Sequence, residues 1–138
     1  MTRGNRRHRR YGDEGQASVF LIMLMPAVMV VFALVWEGGQ MLVAKSELLG
    51  VAHSAARAGS HAIDPVATYS LGTPTVDPVR ARQAAVEHLR GAGAEGEVAV
   101  DGERVVVLAR TTYTPSLLPL GALGIEAEAT ATALQPPR

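Results

Sequence analysis

Residues 17–36 read ASVFLIMLMPAVMVVFALVW, twenty in succession without a charge. At about 1.5 Å per residue they make a helix of roughly 30 Å, the thickness of a bilayer's hydrocarbon core. A helix buried in a soluble protein is seldom apolar on every face for so long. The run is therefore read as a membrane-spanning helix. Pro26 lies inside it. Proline costs a soluble helix about 3 kcal/mol, but membrane helices tolerate it and are commonly kinked there. Trp36 ends the run with a ring suited to the membrane interface. A cleaved signal sequence and a buried core helix are the competing readings. A signal peptide's apolar region usually covers about 7–15 residues and ends at a small-x-small site. This run is longer, and its junction, VWEGGQ, is bulky and charged.

Orientation follows from the arginines. Arg3, Arg6, Arg7, Arg9 and Arg10 precede the run. Only Lys45 and Arg57 follow within the range of about 20 residues that sets topology. The expected organisation is a basic cytoplasmic head at 1–16, a transmembrane helix at 17–36, an extended Ala-rich helix at 37–63 and a small extracytoplasmic αβ domain at 64–138. An arginine cluster also suits nucleic acid or anionic lipid, and the pairs Arg6-Arg7 and Arg9-Arg10 are similar to a twin-arginine export signal. Topology accounts better for ten residues beside a span. The 13 basic and 13 acidic residues balance, so a nucleic-acid partner is not expected.

Beyond the span, Met41, Ala44, Leu48, Val51, Ala55, Ala58 and Ala62 recur at alternating steps of three and four. That spacing puts them on one helix face, read as a seam for a partner helix. Gly38-Gly39 is expected to loosen the joint before it. Asp64-Pro65, Pro74 and Asp77-Pro78 mark 64–77 as a loop. Asp77 then caps a helix with Pro78 in its first turn, apolar at Val79, Ala85, Val86 and Leu89 and ending at Gly91. EVAV at 97–100, a turn at Asp101-Gly102 and ERVVVLARTTY at 103–113 predict a hairpin. A loop from Pro115 to Gly124 leads to a last strand. There Ile125, Ala127, Ala129, Ala131 and Ala133 alternate with Glu126, Glu128, Thr130 and Thr132. Pro136-Pro137-Arg138 is expected to fray. The fold class is α+β: a long N-terminal membrane-spanning helix continuing outward, then a small helix and a three-stranded antiparallel sheet. The sheet's core is thin, and the long helix is expected to complete it.

Catalytic chemistry finds no support. The chain lacks cysteine, which removes disulfides, thiolate metal sites and thiol catalysis. GAGAEG at 91–96 matches a dinucleotide fingerprint, but it follows a helix and precedes a strand, the reverse of the required order. His53 and His61 are about 12 Å apart by helix rise, too far for one zinc ion. Ser60, His61 and Asp64 crowd one stretch of chain, whereas triad members meet across a fold. Glu126 and Glu128 share one strand face instead of flanking a cleft. No enzyme activity, metal or cofactor is expected.

The stretch 14–62 resembles the TadE/TadG-like family of tight-adherence (Flp-type) pilus assembly proteins, which are pilin-like and single-pass. The resemblance rests on Gly15-Gln16-Ala17-Ser18-Val19-Phe20, on Pro26 eleven residues after Gly15, on Glu37-Gly38-Gly39-Gln40 and on the Ala-rich VAHSAARAGSHA at 51–62. It implies a prepilin-peptidase cut between Gly15 and Gln16. It also implies a single-pass protein of the cytoplasmic (inner) membrane that forms a hetero-oligomer with sister pilin-like and platform subunits. The family's glutamate, fifth after the cut, is Phe20 here. In pilins that buried carboxylate is taken to pair with a neighbour's N-terminal amine, and Phe20 removes both the buried charge and the pairing. A minor, pseudopilin-like role in assembly fits this better than the bulk subunit. The alternative is a membrane-anchored extracytoplasmic binding module unrelated to pili; a secreted domain freed by signal peptidase is a third reading.

Overall fold

The structure, a computed structural model, describes residues 13–133, with side chains from Ala17 onward. The arginines of the head and Pro136-Pro137-Arg138 lie outside the described residues. The chain divides into two compact units, Met1–Trp36 and Glu37–Arg138. In order come α1 (Asp13–Ser60), α2 (Pro65–Leu71), α3 (Pro78–Gly91), β1 (Glu95–Asp101), β2 (Arg104–Tyr113) and β3 (Leu123–Thr132). The class is α+β, with a three-stranded antiparallel sheet in the order β1-β2-β3.

The first unit is the apolar part of α1, long and apolar enough to cross a membrane. Phe20, Met23, Val30 and Trp36 are all exposed, on every side of the helix, as the charge-free sequence requires. Pro26 stays within the helix, which also runs unbroken through Gly38 and Gly39.

In the second unit, the sheet's inner face is set by strict alternation. Val105, Val107 and Ala109 of β2 and Ile125, Ala127 and Ala129 of β3 are buried, while Glu126, Glu128, Thr130 and Thr132 are exposed. β1 and β2 meet in a two-residue turn, with Asp101 paired to Arg104. Gly102 has φ 57° and Glu103 has no positive φ, the type II′ pattern that matches strand twist. The turn lies one residue later than the Asp-Gly dipeptide suggests.

Leu48, Ala52, Ala55 and Ala56 of α1 and Ala81, Ala85 and Leu89 of α3 complete this core. Most of these side chains are small, so backbones approach closely. A Cβ built on Gly59 would lie 2.9 Å from Val105 Cγ1 and 3.0 Å from the Ala81 carbonyl oxygen. Only glycine lets α1 meet β2 and α3 at that point.

Two expectations are corrected. Residues 64–77 hold a helix as well as loop. Asp64 caps α2 by accepting hydrogen bonds from Val66 and Ala67 N–H, with Pro65 in the first turn and Gly72 closing the helix. Asp77 caps α3 in the same way. Val79 is exposed, and Ala81 takes its place on α3's inner face. At about 100° per residue, Val79 lies roughly 240° around the helix from Ala85.

Candidate functional site

Within the second unit the sheet lies along the part of α1 that follows Trp36. Glu37 meets Tyr113, at the end of β2, and Gly59 meets Val105 near its start. The 22 helical rises between the first pair of positions span about 33 Å. The eight strand rises between Tyr113 and Val105 span about 27 Å. Helix and strand thus run side by side in opposite directions.

This placement decides what covers the stripe from Met41 to Ala62. Leu48 and Ala55 are buried in the chain's own core, and Ala44, Val51, Ala58 and Ala62 are half-buried. Met41 remains 38% exposed. Of the stripe, Leu48 and Ala55 pack with the sheet and α3 of the same chain, and Ala62 lies past the end of α1 at Ser60. Elsewhere on the outer helix Leu42, Val43 and Leu49 are exposed. Leu42 and Leu49 are seven residues apart and therefore share a side of the helix. Gly15 and Gln16 belong to the first turns of α1.

The most organised polar group is one the sequence reading quoted only as part of a motif. Glu37, the first residue after the charge-free run, is only 6% exposed. Its Oε2 accepts a hydrogen bond from the Tyr113 hydroxyl at 2.7 Å. Its Oε1 accepts from Ser116 N–H at 2.7 Å, from Ser116 Oγ–H at 3.3 Å and from Leu117 N–H. Donation by the Leu117 amide, then by Tyr113, holds the carboxyl below the ordinary glutamate value, against the opposing pull of burial. Accepting carboxylate charge raises Tyr113 above the ordinary tyrosine value. The carboxylate clasps the β2–β3 loop to the helix. A signal for it existed: a carboxylate buried beside an apolar run is costly unless partnered. The partners, 76 or more residues away, could not be read locally.

The groups that looked catalytic on paper have structural work. Ser60 Oγ–H donates to the Arg57 carbonyl at 2.9 Å, and Asp64 caps α2. His53 Nδ1 lies 2.9 Å from the Leu49 carbonyl oxygen. Arg110 bridges Glu97 at 3.1 Å and Glu126 at 2.9 Å on the exposed sheet face. Such solvated pairs contribute about 0–1 kcal/mol. In GAGAEG, Gly91 closes α3 and Gly96 is the second residue of β1, where the Leu108 carbonyl leaves no room for a side chain. Among the described residues no cluster could hold a metal ion.

No curated protein and no solved structure matches the chain. A family model described as Flp pilus-assembly TadE/G-like matches residues 15–85, from the start of the apolar helix into α3. The match covers more than half the chain and reaches well past residue 62, where the resemblance read from the sequence ends. Together with the single long apolar helix at its N-terminal end, this shows that the chain belongs to the TadE/G-like family of Flp pilus-assembly proteins.

Proposed function

We propose that the protein is a structural, non-enzymatic, minor pseudopilin-like component of a Tad/Flp-type pilus or a related secretion system. In this reading residues 17–36 anchor it once in the cytoplasmic membrane, kinked at Pro26. Arg3, Arg6, Arg7, Arg9 and Arg10 stay inside, and residues 37–138 face outward. Prepilin peptidase cuts between Gly15 and Gln16, and the mature chain joins sister pilin-like and platform subunits through helix packing.

The observation that carries the reading is the division of labour on α1. One face of its outer part is covered by the chain's own sheet and α3, while Leu42, Val43 and Leu49 stay bare. An apolar strip on a helix already braced from behind suits association with another helix. The test is the double variant Leu42→Glu with Leu49→Glu, in the full chain and its native membrane. Both positions are solvent-exposed, so the fold is retained. Pilus-assembly subunits that co-purify with the unaltered chain are expected to be lost. An unchanged set of partners refutes this mode of association.

A further inference from the structure

From Thr111 to Ile125 the chain carries no charge, the longest such stretch outside the apolar run of α1. Its centre is the β2–β3 loop, which presents Leu117 at 55% and Leu120 at 61% exposure. Large aliphatic side chains on a loop tip gain nothing from water. The backbone at Leu117 is held, because Ser116 and Leu117 N–H both donate to the Glu37 carboxylate.

Glu37 directly follows Trp36, so the loop is tied to the residue at which the chain leaves its apolar run. The opposite end of the sheet is far away. Nine strand rises of about 3.4 Å place Arg104, and the turn beside it, roughly 31 Å from Tyr113. One end of the sheet therefore carries charged Asp101, Glu103 and Arg104, while at the other the leucines flank the clasped Glu37 carboxylate and the nearest charges on the strands, Arg110 with Glu95 and Glu126 opposite it, lie three residues in from Tyr113.

We propose that the loop Pro115–Gly121 is a second membrane contact. Leu117 and Leu120 enter the interfacial region of the same bilayer that holds residues 17–36, in the leaflet where Trp36 sits. The occupant of this surface is lipid, because the loop is continuous with the spanning segment through Glu37. The uncharged loop offers no group to select a particular headgroup. The clasp sets the depth, holding the leucines at the level of the membrane surface. The inference rests on the reading of 17–36 as a membrane span.

The sequence favours a clean test, since the chain has no cysteine and one tryptophan. The full chain, reconstituted alone into phosphatidylcholine–phosphatidylglycerol vesicles containing a shallow doxyl-labelled lipid, reports on the anchor through quenching of Trp36. Leu117→Cys and, separately, Leu120→Cys carry an environment-sensitive fluorophore, and Asp101→Cys provides the distant control. Leu120 makes no bond to Glu37, so it keeps the test open if labelling at 117 disturbs the clasp. The expected result is quenching of Trp36 and of both loop probes, with the loop probes quenched at least several-fold more than the Asp101 probe. Quenched Trp36 with loop probes no more quenched than the Asp101 control overturns the loop contact and leaves the anchor standing. Unquenched Trp36 overturns the anchor and the loop contact together.

Discussion

The side-by-side packing of α1 and β2 depends on Gly59, and two glycines on one helix allow that dependence to be measured. A Cβ at Gly50 meets nothing within 4 Å, while a Cβ at Gly59 meets Val105 Cγ1 at 2.9 Å, the Ala81 carbonyl at 3.0 Å and Ala85 Cβ at 3.5 Å. Replacing glycine by alanine inside a helix gains up to about 1 kcal/mol of propensity at either site. At Gly59 the gain is opposed by overpacking. Val105 is fully buried and β-branched, and the Ala81 oxygen is backbone, so neither can swing aside cheaply. Overpacking of this kind costs about 1–3 kcal/mol. Gly59 is the penultimate residue of α1 and gains less propensity than Gly50, so Gly59→Ala is expected to lie at least about 1–3 kcal/mol below Gly50→Ala. For a unit of about 100 residues, such as Glu37–Arg138, that is a Tm difference of roughly 5–20 °C. Far-UV circular dichroism of the full chain in detergent micelles reads it, with the apolar helix a constant background. Equal shifts in the two variants would refute the packing of α1 on β2 and α3.

Two further outcomes are expected. Glu37 is held below its ordinary value, so the stability its ionisation contributes is present above about pH 4.5 and is lost as the pH falls through the lower folded value. The gap in Tm between the unaltered chain and Glu37→Gln should therefore be constant near neutrality and narrow on acidification below pH 4.5; a gap that widens there contradicts the clasp. Gly15→Leu should block processing, seen as a larger intact mass for the membrane-extracted variant than for the unaltered chain. A difference equal only to the substitution would show that Gly15 is not a cleavage site.

Local signals carried most of the fold. The charge gap at 17–36 defined the apolar helix, the Asp77-Pro78 pair the start of α3, and the Ala/Glu/Thr alternation the face of β3. Asp64-Pro65 is the same capping signature as Asp77-Pro78, but the prolines around it, and only seven residues of helix, made the stretch read as loop. The stripe from Met41 to Ala62 shows a different limit. Periodicity reports that a helix face is buried and is silent on what buries it. The covering surface belongs to strands some fifty residues later, brought back by the antiparallel run of β2 along α1. The Glu37 clasp was hidden for the same reason, since its donors are specified only once that register is set.

The positions of the carboxylates bear on where assembly is driven. The apolar run, residues 17–36, contains no acid, and Phe20 stands where the family's glutamate is expected. The first acid beyond it, Glu37, has both oxygens engaged within the chain, one by Tyr113 and the other by Ser116 and Leu117. Neither position offers a free carboxylate to a neighbouring subunit's N-terminal amine. Apolar packing inside the bilayer is a weak substitute, because lipid tails are as apolar as the Leu, Met and Val side chains of the run. On the proposed reading the bare Leu42, Val43 and Leu49 lie beyond the membrane, where water penalises their exposure and the hydrophobic effect acts in full. On the proposed reading, the contact that recruits a partner therefore lies on the aqueous part of α1, and the span serves to hold that part at the membrane surface.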